Sequence, residues 1–152
     1  LIRRGDVCPK RYPSRYLYNK YYVDILDKIL VQLKKYNDKT VIINICSERK
    51  SFDSFNVFEK MNSSHCRVKL HLDTKIVDVV DLAINADILI MSRSSFSFVP
   101  AFYNKNCVIY HPFWHKKLDH WLDSTESNFD VQLKKKIKDI QLSRGNKKNK
   151  NQ

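Results

Sequence analysis

Two short segments carry residue types suited to one chemistry, the holding of a phosphorylated ligand. Arg3-Arg4-Gly5-Asp6 places adjacent guanidinium groups at the end of an apolar start. Guanidinium forks match phosphate oxygens and keep their charge when partly buried. Successive strand residues face opposite sides, so one arginine is expected in a crevice and the other on a flank. The competing reading is an arginine–carboxylate pair, with Asp6 as the acid. Ser94-Ser95-Phe96-Ser97 follows the apolar run Asp87–Met91 and opens an expected helix. Serine caps a helix start by accepting an orphan backbone N–H. The remaining N–H groups and the helix dipole make such an end an anion site without glycine. Simple capping is the alternative there.

Two carboxylates have a more specific candidate role. Asp73 and, after it, Asp78 could accept two N–H donors of a ligand together, or act as helix caps. Asp6 and Glu48 are candidates by position for a general base. His111 and His115 flank Pro112-Phe113-Trp114, but no acidic or cysteine partner stands nearby, so no metal site is expected. Cofactors are likewise not expected. Two glycines in 152 residues leave no glycine-rich phosphate loop. The four cysteines, Cys8, Cys46, Cys66 and Cys107, have neither zinc-site nor disulfide-scaffold spacing.

These residues need elements to position them. Leu1–Arg4 is expected to end a strand that begins upstream, since the first residue is Leu rather than Met. Asn19–Tyr36 carries Tyr22, Ile25, Leu26, Ile29, Leu30 and Leu33 at helical spacing. Strands are expected near 41–46, 67–72, 87–91 and 107–110, alternating with helices near 52–61, 77–86, 95–104 and 129–142. Pro100 could kink or break the fourth of these helices. Alternation of this kind predicts an α/β fold: a Rossmann-like, doubly wound parallel sheet of about five strands. In the order 3-2-1-4-5, both polar segments meet in one crevice at the carboxyl edge, where such sheets bind ligands. The domain is expected over 1–143, with a basic disordered tail over 144–152.

The ordered pair of segments resembles the GDP-fucose-dependent fucosyltransferases, the α-1,2, α-1,6 and protein-O superfamily. Leu1-Ile2-Arg3-Arg4-Gly5-Asp6 is similar to their His-x-Arg-Arg-x-Asp motif, and Ser94-Ser95-Phe96-Ser97 to a later Ser-Ser-Phe-Ser segment. The resemblance runs over roughly Leu1 to Trp121. It implies the C-terminal, donor-binding domain of a two-domain GT-B glycosyltransferase, with inverting, metal-independent transfer to a glycan or protein hydroxyl. It implies that Arg3, with Arg4 beside it, holds the β-phosphate, and that Ser95, Phe96 and Ser97 meet the diphosphate. Leu1 stands where the family has His. The partners implied are a GDP-sugar donor, a glycan or protein acceptor and an N-terminal acceptor domain outside this chain. No specific nucleic acid is expected. The compartment follows the source: Golgi lumen or membrane-associated in a eukaryote, cytoplasmic in a bacterium or virus.

Charge supports an alternative of another class. The net charge is +12, and Lys134–Lys150 holds eight basic residues and one acid. A basic, non-enzymatic module for nucleic acid or an anionic surface would use that surplus. Heparin affinity that survives deletion of 134–152 would favour it.

Overall fold

The computed structural model describes residues 1–36 and 40–149. Among the described residues the chain is mixed α/β: five helices and five strands, the strands forming two small parallel sheets. Helix α1 (Asn19–Leu33) leads through a 3-10 turn (Lys34–Tyr36) toward β1 (Val41–Ser47). Helix α2 (Asn56–Glu59), strand β2 (Cys66–Leu72), helix α3 (Ile76–Asn85) and strand β3 (Ile88–Ile90) follow. Helix α4 (Ser95–Tyr103), strands β4 (Cys107–Tyr110) and β5 (Leu122–Asp123), and helix α5 (Phe129–Asn149) complete it.

β1 pairs with β2 in register from Val41 opposite Cys66 to Ser47 opposite Leu72. β3, β4 and β5 pair in that order. The expected first strand at 1–4 is not a strand. Only Leu1 and Ile2 make ladder-like bonds: the Leu1 nitrogen donates to the Ile90 carbonyl at 2.7 Å, and Ile2 N–H donates to the Cys46 carbonyl at 3.0 Å. Those two bonds join the sheets, since Ile90 lies in β3 and Cys46 in β1. Alternate backbone donors pointing to opposite sides are what a central strand presents to its two neighbours.

Side-chain alternation assigns the two faces. In β3 and β4, Leu89, Val108 and Tyr110 turn toward Ala83 of α3, Ala101 of α4 and Trp121. Their neighbours Cys107 and Ile109 turn the other way, against α1 and α5 through Ile25, Ile29, Phe129, Leu133 and Ile137. Helix α1 spans both sheets, because its Tyr22 and Leu26 pack on Ile43 and Ile45 of β1. The stripe at 3.6-residue spacing is therefore split between two partners. On the opposite face of β1 and β2, Ile42 is 56% exposed, and Arg67 and Lys69 are exposed too, with no described helix packed over them.

Three boundaries depart from expectation for physical reasons. Pro100 sits inside α4 without ending it; its ring is buried, and its carbonyl still accepts Asn104 N–H at 3.0 Å. β5 is an unexpected strand, two residues long. α5 runs to Asn149, past the expected end at Leu142. The expected tail falls partly in that helix, and 150–152 lie outside the described residues.

Candidate functional site

The carboxyl ends of the parallel strands share one edge, and the polar loops gather there. Residues 3–6 leave between β1 and β3, Ser47-Glu48-Arg49 leaves β1, Asp73 follows β2, Ser92–Ser97 follows β3, and His111 follows β4. Arg3 and Ser95 are thus brought to the same edge on adjacent connections.

Arg3 is held by acids. Its guanidinium pairs with Asp6 and with Glu48, its side chain remaining 24% exposed, and it donates to the Arg4 carbonyl at 3.2 Å. Glu48 also accepts Arg4 N–H at 2.9 Å. Gly5 makes this arrangement possible. Its φ of +70° is in the left-handed region that glycine tolerates, and a Cβ there would stand 3.3 Å from the Glu48 side chain. The pairing with Asp6 is the alternative that the sequence left open.

Arg4 corrects an expectation. Neither arginine was expected in the core, and Arg4 was expected beside Arg3 on the phosphate. Arg4 is fully buried instead. Its Nε donates to Ser51 Oγ at 3.0 Å, one terminal nitrogen to the Arg3 carbonyl at 2.9 Å, and the other to Asn19 Oδ1 at 2.7 Å. Its cation lies 4.2 Å from the Tyr16 ring centre and its nitrogen 3.7 Å from Asp53. Desolvation pushes its pKa down, opposed in part by Asp53. The donors are committed within the fold, so Arg4 is a positioning residue: it anchors the start of α1 to the loop after β1.

The serine segment divides likewise. Ser94 caps α4 by accepting Phe96 N–H at 3.2 Å. Ser97 is fully buried, and its hydroxyl, with one proton to donate, lies 2.7 Å from the Ser92 carbonyl and 2.9 Å from the Ser94 carbonyl. Its side chain closes the turn and does not face a ligand, contrary to expectation. Ser95 and Phe96 are exposed, and Ser95 Oγ lies 2.9 Å from His115 Nε2.

Asp73 adopts φ 56°, which Asp tolerates better than most residues. Its carboxylate accepts Arg49 N–H at 2.9 Å and lies 3.4 Å from the Arg49 side chain. It does not cap α3, which begins after Lys75. Asp78 is exposed in the first turn of α3.

Two groups escaped the sequence reading. Arg93 donates to the Ser14 carbonyl at 2.7 Å and reaches His111 Nε2 at 2.9 Å. A guanidinium can only donate, so Nε2 accepts and Nδ1 carries the proton toward Ser124 Oγ, 2.9 Å away. Burial, and then the Arg93 charge, push the His111 pKa down to about 4, against a raising effect of Asp123. Arg15 places its cation 5.3 Å from the Trp114 ring centre. The signal for Arg93 was its place inside the serine segment; Arg15 lay in a loop with no period. His115 stacks on Phe98 with ring centres 4.6 Å apart. Among the described residues, no three His, Cys, Asp or Glu side chains come together to hold an ion.

The edge therefore offers one partly exposed arginine bracketed by two carboxylates, beside a capped helix start and a second arginine fixed by His111. No family model, no curated protein and no solved structure matches this chain.

Proposed function

We propose that the chain is the donor-binding domain of a GDP-sugar-dependent glycosyltransferase, with GDP-fucose as donor and inverting, metal-independent transfer to a glycan or protein hydroxyl. In this reading the two sheets are halves of one Rossmann-like, doubly wound sheet, as in the C-terminal half of a GT-B enzyme. One observation carries it: Leu1–Ile2 bonds to both β1 and β3, which delivers Arg3 to the edge where α4 begins. The diphosphate would take Arg3 from Asp6 and Glu48. Departing GDP bears developing negative charge, and a preorganised guanidinium and helix start stabilise such charge. Ser95 and Phe96, exposed at that start, are the segment left to meet the diphosphate, and Asp73 would read guanine by exchanging Arg49 for the base.

The test is calorimetric titration of GDP and UDP into the chain. GDP is expected to bind more tightly than UDP, Arg3→Ala to weaken it at least tenfold, and Asp73→Ala to narrow the preference. Equal binding of both nucleotides, unaffected by either substitution, would remove the reading.

A further inference from the structure

The loop before α1 holds a guanidinium whose hydrogen bonds are unspent. Arg15 is half-buried, and among the described residues its Nε is buried without an acceptor, while its two terminal nitrogens reach the surface without one. Aromatic rings hold it instead: its cation lies 5.3 Å from the ring centre of Tyr12 and 5.3 Å from that of Trp114, within the reach of cation–π attraction. The backbone fixes the first ring, since the Tyr12 carbonyl accepts N–H of Arg15 and of Tyr16, each at 3.1 Å, and Tyr12 N–H donates to the Cys8 carbonyl at 2.9 Å. Arg11 stands 5.3 Å from the same Tyr12 ring centre, and Arg93 bonds to the Ser14 carbonyl, next in the chain to Arg15. The arginines with described ion pairs are Arg3, Arg4 and Arg49. Arg11, Arg15 and Arg93 thus gather at one loop with no described carboxylate paired to any of them. Partly buried donors are bonded as a rule, so a guanidinium that spends none of its N–H groups on the protein keeps them for a ligand.

We propose that Arg15 anchors a site for a tetrahedral oxyanion, the head of a phosphate or sulfate ester, independent of Arg3. The fork selects the class. A planar guanidinium donates parallel N–H bonds to two oxygens of one anion, and the terminal nitrogens of Arg15 are the ones at the surface. The rings of Tyr12 and Trp114 keep that fork in place before any ligand arrives, which removes part of the ordering cost of binding. A carboxylate has no oxygen beyond the two that a fork holds. A phosphate or sulfate head has more, and Arg11 and Arg93 are the cations at the same loop to meet them. Arg93 is itself fixed, by the Ser14 carbonyl on one side and His111 on the other. Trp114 is 55% exposed, so it positions the cation without closing over it.

This inference does not rest on nucleotide binding. The nitrogen-15-labelled chain is titrated with methyl phosphate, methyl sulfate and acetate, each against sodium chloride at matched ionic strength. The Arg15 Nε–H and Trp114 indole N–H signals are followed, so that one remains where a variant removes the other. A saturable shift is expected with at least one of the two esters, and the tighter ester names the source. Arg15→Gln is expected to weaken that binding at least about tenfold, and Arg15→Lys to recover only part of it, since an ammonium has the charge without the fork. Arg3→Ala is expected to leave it unchanged. Trp114→Ala, at an exposed ring, is expected to weaken it at least about threefold, and carries the test should Arg15→Gln fail to fold. Shifts that chloride reproduces, acetate binding as tight as either ester, or an Arg15→Gln titration like the native one would overturn the proposal. So would equal weakening by Arg3→Ala, which would place the anion at Arg3 instead.

Discussion

At the scale of the residue, the two adjacent arginines have different work, and substitution should separate them. Arg4→Ala takes the guanidinium away from Asn19 Oδ1, Ser51 Oγ and the Asp53 carboxylate. Losing one member of a buried polar network costs about 3–5 kcal/mol, to be read from urea unfolding. Arg4→Lys should recover little, since one ammonium cannot serve three acceptors in the plane of a fork. Arg3→Ala should leave the unfolding midpoint nearly unchanged, because its ion pairs are partly solvated. Under the proposed function, its cost would fall on transfer from GDP-fucose, about a hundredfold to a thousandfold in rate. A normal rate in a folded Arg3→Ala variant would take Arg3 out of the site. His111 supplies a pH dependence. Its folded pKa of about 4 is below the ordinary 6.5, so the unfolded chain binds the extra proton between those values. Stability that His111 contributes is complete above pH 6.5 and is lost as pH falls toward 4. Because the ring is only half-buried, the loss should be on the order of 1 kcal/mol. Thermal unfolding across that window should fall more steeply in the native chain than in His111→Gln; parallel curves would show that the imidazole is not the group responsible.

At the scale of the element, local pattern was legible where one element's own residues decided the outcome. The α1 stripe, the apolar runs of β1 to β4 and the serine start of α4 were all readable, because period, burial and capping are written within a few residues. β5 was not, since Leu122–Asp123 is too short to show a period and is a strand only because Tyr110 lies beside it. Arg4 was not, because Asn19 and Ser51, which accept from its guanidinium, are 15 and 47 positions away in sequence. Pro100 read as a breaker, yet tertiary burial overrides local propensity here. The joint between α3 and α4 depends on a residue that sequence gave no reason to single out. Buried Asn104 donates from one amide to the carbonyls of Ala83 and Ala86, and its oxygen accepts Asn106 N–H. Asn104→Ala should cost about 2–3 kcal/mol, since buried acceptors lose their donor, whereas Ser94→Ala, a cap alone, should cost about 1 kcal/mol. Equal effects in denaturant titrations would contradict that ranking.

At the scale of the whole molecule, two parallel sheets share one helix and one dipeptide. The sheet of β3, β4 and β5 has helices on both faces, with Val108 and Ile109 fully buried. The pair β1 and β2 is covered on one face, and Ile42 looks out from the other. Local opening follows the density of buried contacts, so the two-stranded half should open first. Its carboxyl-edge residues Glu48 and Asp73 open with it. The cysteines turn this asymmetry into a labelling record. Cys46 lies in β1, Cys66 in β2 and Cys107 in β4, all three buried, while Cys8 is partly exposed. Burial raises the pKa of all three, that of Cys107 to about 11, and thiolate is the form that alkylates. A pulse of iodoacetamide followed by peptide mass spectrometry should therefore mark Cys8 first, Cys46 and Cys66 together later, and Cys107 last. Each buried thiol is a clock for one sheet, and the interval between the second and third marks measures how independently the two halves breathe.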